Sequence, residues 1–185
     1  MRYNHFLGSA RHHKEIGTTM QNNLLLFAYG TLRTTEPESK MFQHKLIESK
    51  PARIFGRLYQ IQEGYPVLQI PNESVIAHAS DYLLSDWMLN TEQTIDAKEP
   101  DAPSFAWIQG ELLTFPLEED VLESMDAWEG FTPGKKSFYK RVITQAYTTD
   151  EMAHRCWAYV CLSEPRAPSR PLKENSWTRP KDLKY

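Results

Sequence analysis

The sequence predicts an α+β fold, a curled sheet of mostly antiparallel or mixed strands able to close into a barrel, with one good helix packed against it. Three observations support this. Strand-like segments outnumber helical ones, and long helical crossovers between them are few. A single stretch, PLEEDVLESMDAWEG, carries both the start and the stop signals of a helix.

The first strand is Leu24 to Tyr29, a short apolar run followed by Gly30, as in a strand covered on both faces. Glu38 to Glu48 is read as helical or turn-like, with Met41, Leu46 and Ile47 within helical reach. Arg53 to Ile61 and Tyr65 to Ile70 form two strands joined by QEG in a short hairpin loop, and Gly56 marks a bulge or sharp curvature. Pro71 to Ser104 is irregular and includes the polar NTEQTIDAKEPDAP. This insertion of residues 71–104 is expected on the surface, with a lid or partner surface as the alternative. Phe105 to Phe115 resumes strand character. The helix follows, with Pro116 near its start, acidic residues in its first turn and Gly130 just past its end. SFYKRVITQAY and MAHRCWAYVCL are two further strands, joined through TTDE. The resulting division is an amino-terminal extension over 1–20, a domain over 21–162 and a proline-rich tail over 163–185, the tail expected extended along the surface or partly mobile.

A chain of 185 residues closes a core as a single globular unit, and 41% apolar with 24% charged residues excludes a fibrous or wholly disordered chain. A net charge of -3, with Lys and Arg scattered, argues against a nucleic-acid partner. No apolar run approaches the ~20 residues of a membrane helix, so no membrane partner is expected. The first residues lack the apolar centre of a secretory signal, which sets the expected location in the cytoplasm; Met20 is an alternative start. Cys156 and Cys161 lie five positions apart in one strand, roughly 16 Å apart and on opposite faces, so they read as reduced, packed thiols. His5, His12, His13, His44, His78 and His154 show no metal-ligand spacing, so neither metal nor cofactor is expected. Trp87, Trp107, Trp128 and Trp157 are read as core or rim packing, since no basic groove accompanies them.

The helix holds one local conflict. Val121, Leu122, Met125 and Trp128 fall on one apolar stripe, and Glu129 falls inside that stripe. Burial and the negative end of the helix dipole both push such a carboxyl toward proton exchange near neutral pH. The competing reading is a buried ion pair with Arg141 or Arg57. Asp126 is read as pointing away from the centre of the stripe, as a solvated or capping residue. At the end of the first strand, the N–H groups of Gly30, Thr31 and Leu32 emerge without ladder partners, an arrangement able to cradle an anion. An ordinary strand-to-loop glycine is the alternative there.

These residues resemble the gamma-glutamylcyclotransferase-like superfamily. FAYGTLR resembles its amino-terminal Tyr-Gly-(Ser/Thr)-Leu signature and MDAWEG its Asp-x-x-Glu-Gly segment, while FGRLYQI, YPVL, QGELLTF and YKRV are similar to family strand segments in the same order. The resemblance implies a small mixed β-barrel with flanking helices whose cavity holds a small-molecule gamma-glutamyl substrate. It maps the general acid/base onto Glu129, substrate-binding groups onto Tyr29, Gly30, Thr31 and Leu32, and a further pocket residue onto Tyr139. The implied activity is cyclisation of a gamma-glutamyl amine, amino acid or peptide to 5-oxoproline. The alternatives are a non-catalytic barrel that binds a small ligand or protein, and removal of a gamma-glutamyl protecting group. The substrate and the oligomeric state stay open.

Overall fold

The computed structural model describes residues 23–82, 105–165 and 168–183. The expected amino-terminal extension and most of the 71–104 insertion, Trp87 included, lie outside the described residues.

The apolar run LLLF is needed because its strand is covered on both sides. β1 (Asn23–Ala28) sends Leu24, Leu26 and Ala28 to one apolar cluster and Phe27 to another. Antiparallel neighbours follow on one edge: β1 pairs with β5 (Ala106–Pro116), and β5 pairs with β2 (Glu48–Ile61). On the other edge β1 runs parallel to β7 (Ala153–Val160), with Leu26 opposite Trp157. β7 then forms a long antiparallel ladder with β6 (Lys140–Thr148). Pairing of β6 with β2, Ala52 opposite Thr148, closes a five-strand mixed barrel. A closed barrel leaves no edge among these five strands for another chain to add to.

Three short strands decorate this ring. β3 (Pro66–Gln69) pairs with the second half of β2, and β4 (Ala77–His78) pairs with β6. β8 (Ser169–Pro171) lies along β2 at Tyr59 to Ile61. Gly56 sits where β2 passes from β5 to β3, since Gly56 faces Ala106 and Arg57 faces Gln69. A Cβ at Gly56 would come within 2.7 Å of the Gln69 carbonyl, so the glycine permits the close crossing of the two strands.

α1 (Glu119–Trp128) packs Val121, Leu122 and Met125 onto Leu24, Leu26, Leu113, Phe115 and Ile143. Pro116 ends β5 instead of opening the helix. The stretch expected to be helical or turn-like over 38–48 is two 3-10 turns, Pro37–Met41 and Gln43–Lys45, after which β2 begins at Glu48. Cys156 and Cys161 are both buried and free, and burial pushes the Cys156 thiol up to about 12.

The tail differs most from expectation. It does run extended, but it packs: Leu172 N–H donates to the Leu58 carbonyl at 2.8 Å, and the Asn175 carbonyl accepts from Gln109 N–H at 2.7 Å. Trp177 is only 1% exposed and sits within the Phe27, Leu58, Leu68 and Val160 cluster. An aromatic of that size has apolar area enough to hold down a polar segment.

Candidate active site

α1 ends in a Schellman turn. Phe131 N–H donates to the Asp126 carbonyl at 2.8 Å, Gly130 N–H donates to the Ala127 carbonyl at 3.4 Å, and Gly130 has φ +62. The turn makes Glu129 the C-cap residue, so the chain swings out of the helix at this residue. A Cβ at Gly130 would meet nothing within 4 Å, so only backbone strain opposes substitution there. Gly130→Ala is expected to cost about 1 kcal/mol, measurable as a lower denaturant midpoint with an unchanged slope.

The carboxyl of Glu129 enters a cavity of about 360 Å³. All six residues singled out in the sequence line it: Tyr29, Gly30, Thr31 and Leu32 just past the end of β1, Glu129 at the C-cap of α1, and Tyr139 just before β6. Phe27, Ile61, Tyr65, Pro66, Trp128, Phe138 and Tyr159 complete most of the wall. Glu129 has no salt bridge among the described residues, and burial raises its carboxyl to about 7. Protein surrounds the acid without neutralising it, which is the condition for proton exchange near neutrality.

The opposite wall is the β1 exit. Arg33 N–H returns to the Gly30 carbonyl at 3.1 Å, and Thr34 N–H is taken by Glu111 Oε2 at 2.8 Å. Just before them, the N–H groups of Gly30, Thr31 and Leu32 have no backbone partner among the described residues. Gly30 is dictated by crowding: a Cβ there would lie 2.6 Å from Pro66 Cγ. The phenols close the floor. Tyr29 Oη donates to the Tyr159 carbonyl at 2.8 Å, and Tyr139 Oη donates to the Pro66 carbonyl at 2.9 Å. Burial first, then for Tyr29 the neighbouring Tyr139, and for both the Glu129 charge, hold the phenols well above their ordinary pKa, so they stay protonated.

Two sequence readings are corrected here. The ion pair considered for Glu129 goes to its neighbour in the helix: Arg141 Nη1 binds Asp126 Oδ2, and Tyr159 Oη donates to Asp126 Oδ1 at 2.7 Å. Arg57 lies over the Tyr59 ring, 5.3 Å from its centroid. Asp126 is 7% exposed, and not solvated. Four residues after Leu122, it stands roughly 40° from it around the helix axis, inside the buried face. Trp128, by contrast, is 40% exposed at the cavity rim and outside the core. Sequence reasoning missed Tyr159 and Pro66. Tyr159 carried a usable signal, since it shares its strand face with Trp157.

A family model described as gamma-glutamyl cyclotransferase, AIG2-like, matches residues 26–107 and 80–179. The chain belongs to this family. No curated protein matches the chain significantly. Among solved structures, this family member is similar to YkqA from Bacillus subtilis at 17% identity and a TM-score of 0.47, over 84% of this chain but 39% of that one. It is similar to an Arabidopsis thaliana protein solved in solution at 17% identity and a TM-score of 0.48, over 80% of this chain and 74% of that one. A structure of a gamma-glutamyl cyclotransferase matches at 13% identity and a TM-score of 0.44, over 82% of this chain and 72% of that one. Among the described residues of this gamma-glutamyl cyclotransferase family member, no helix is long and apolar enough to cross a membrane.

Proposed function

We propose that the protein cyclises a gamma-glutamyl amine, amino acid or peptide to 5-oxoproline and releases the free amine, with Glu129 as the general acid/base. The observation that carries this reading is a half-buried carboxyl with no ion pair among the described residues, sharing one cavity with Gly30-turn amides that have no backbone partner among them.

The chemistry needs little else. The substrate's alpha-ammonium gives a proton to the Glu129 carboxylate, and the freed amine nitrogen attacks the gamma-carbonyl carbon. A C–N bond forms within the five-membered ring while the original amide C–N bond breaks. The ring nitrogen sheds a second proton as it becomes the lactam N–H, the leaving nitrogen takes the first back from Glu129, and the released amine departs carrying both protons as its ammonium ion, so the acid ends as it began. Folding the gamma-glutamyl group back on itself supplies effective molarities on the order of 10⁵ to 10⁸ M. The amides of Gly30, Thr31 and Leu32 serve the substrate carboxylate or the developing oxyanion. Tyr139 has its proton engaged by the Pro66 carbonyl, which leaves its oxygen as an acceptor toward an ammonium group. No step calls for a metal. The same reading sets the protein in the cytoplasm, where its buried thiols stay reduced.

The test is mass spectrometry of the protein incubated with gamma-glutamyl amines, amino acids and peptides, with 5-oxoproline as the expected product. Thermal stabilisation by such compounds without turnover would replace this reading with a binding barrel. The pH profile follows from Glu129. The base form is required, and the carboxyl titrates at about 7. The quantity kcat/KM is therefore expected to rise through about pH 7 and to fall about tenfold per unit well below it.

A further inference from the structure

We propose that the carboxy-terminal segment Trp177–Arg179 is a strap joining the two walls of the cavity, with Arg179 as a positioning residue for the Gly30 turn. Its catalytic consequence rests on the cyclotransferase reading, but the strap itself is a matter of contacts.

The first wall is tied through a relay of charged groups. Arg33 Nε donates to the Gly30 carbonyl at 3.3 Å, and Arg33 Nη2 donates to Glu36 Oε1 at 3.0 Å. The other oxygen of Glu36 accepts from Arg179 Nε at 2.7 Å, and Arg179 Nη2 grips both oxygens of Glu38. Glu36 is 8% and Glu38 5% exposed. Two acids so near in sequence and so dry repel each other and lose hydration, so they need cations that reach them. Arg33 comes from the turn itself, whereas Arg179 comes from the tail, 143 positions from Glu36. The planar fork of Arg179 spans both carboxylates, a geometry that an ammonium group does not reproduce.

The second wall is tied by Trp177. Both guanidinium groups lie against its ring, Arg33 at 5.6 Å and Arg179 at 5.9 Å from the centroid. Its Nε1 donates to the Gly64 carbonyl at 3.2 Å, in the loop between β2 and β3. Leu183 and Pro180 would lie 3.1 and 3.4 Å from a Cβ at Gly64, which has φ +93, so the tail also packs over this loop. Tyr65 and Pro66 follow directly, and both line the cavity. Pro66 presses on Gly30, and its carbonyl accepts the hydrogen bond from Tyr139 Oη. The tail thus clamps the donor turn against the loop that shapes the rest of the wall, while Glu129 comes from α1 and is not touched by the strap in any of these contacts.

The experiment uses full-length Arg179→Gln and Arg179→Lys, read by hydrogen exchange of the Arg33, Thr34 and Glu36 amides and by steady-state kinetics. The expected result is exchange about tenfold faster at these amides, with β1 and β5 unchanged, and a smaller effect in the Lys variant. In turnover, KM is expected to rise while the kcat/KM midpoint near 7 stays in place. Exchange within about twofold of the parent in both variants overturns the strap, and so does a shifted pH midpoint, which would put the damage at Glu129. Global unfolding of the Gln variant passes the decision to the Lys variant at the same amides. Absence of 5-oxoproline release by the unaltered protein overturns the cyclotransferase reading alone, since the exchange measurement needs no substrate.

Discussion

Glu129→Gln is expected to lower kcat/KM for 5-oxoproline release by about 10² to 10⁴-fold, the range supplied by a single positioned proton carrier. The amide keeps the shape and hydrogen-bonding edge of the acid and removes its titration. The same substitution is expected to stabilise the fold, in a pH window set by the shift itself. The carboxyl rises from its ordinary 4.5 to about 7 in the folded protein, with burial as the cause. A raised folded pKa means that the folded state binds the proton more tightly than the unfolded chain does. That contribution is whole below about 4.5 and is lost as the pH climbs through about 7. At pH 8 the unaltered protein therefore carries a cost of up to about 3 kcal/mol, at roughly 1.4 kcal/mol per unit, and Glu129→Gln is relieved of it. Denaturant unfolding at pH 4 and pH 8 checks this. The variant and parent should coincide at the lower value and separate at the higher. Equal stability at both would mean that the acid is solvated after all.

Asp126→Asn is expected to have the opposite effect, a loss of about 3 to 5 kcal/mol. Arg141 is 1% exposed, its Nε and Nη2 find no hydrogen-bond partner among the described residues, and its charge rests on Asp126. The rings of Trp157 and Phe131, at 4.8 and 5.3 Å, add cation–π attraction but cannot replace a counter-ion. Burial pushes the Asp126 carboxyl upward, while Arg141 and Tyr159 pull the other way. Removing the negative charge strands a dry cation. Replacing both partners, as in Asp126→Leu with Arg141→Met, is expected to recover most of the loss, because the desolvation of two ions disappears with them. Urea unfolding of the two single variants and the pair, treated as a cycle, measures the coupling. A single variant within about 1 kcal/mol of the parent would show that water reaches the pair.

The barrel was legible where burial is two-sided or periodicity is strong. The run before Gly30 announces a covered strand, and the spacing of Val121, Leu122 and Met125 announces the packed face of the helix. Glu129 was visible as a violation of that spacing, and its link to the β1 exit came from resemblance to a family. Asp126 was misread although the same periodicity places it inward, because its partner Arg141 lies in another element and a buried acid looks identical to an exposed one in sequence. The opening of β2 was missed because Glu48 to Pro51 face solvent and carry no apolar alternation. The tail was missed for a different reason. Proline and charge suggest a loose end, whereas its anchor is one tryptophan whose indole hydrogen bond goes to Gly64, 113 positions away. Local composition is silent about contacts of that range.

The parallel seam between β1 and β7 governs the order in which the molecule can assemble. Tyr29 and Tyr159, which meet beyond that seam, are 130 positions apart. Leu24 and Leu26 gain cover from β5 and α1, but the parallel partner of β1 follows later still in the chain. Closing so wide an interval carries an entropic toll that local pairings such as β6 with β7 do not, so these hairpins form early and the ring shuts late.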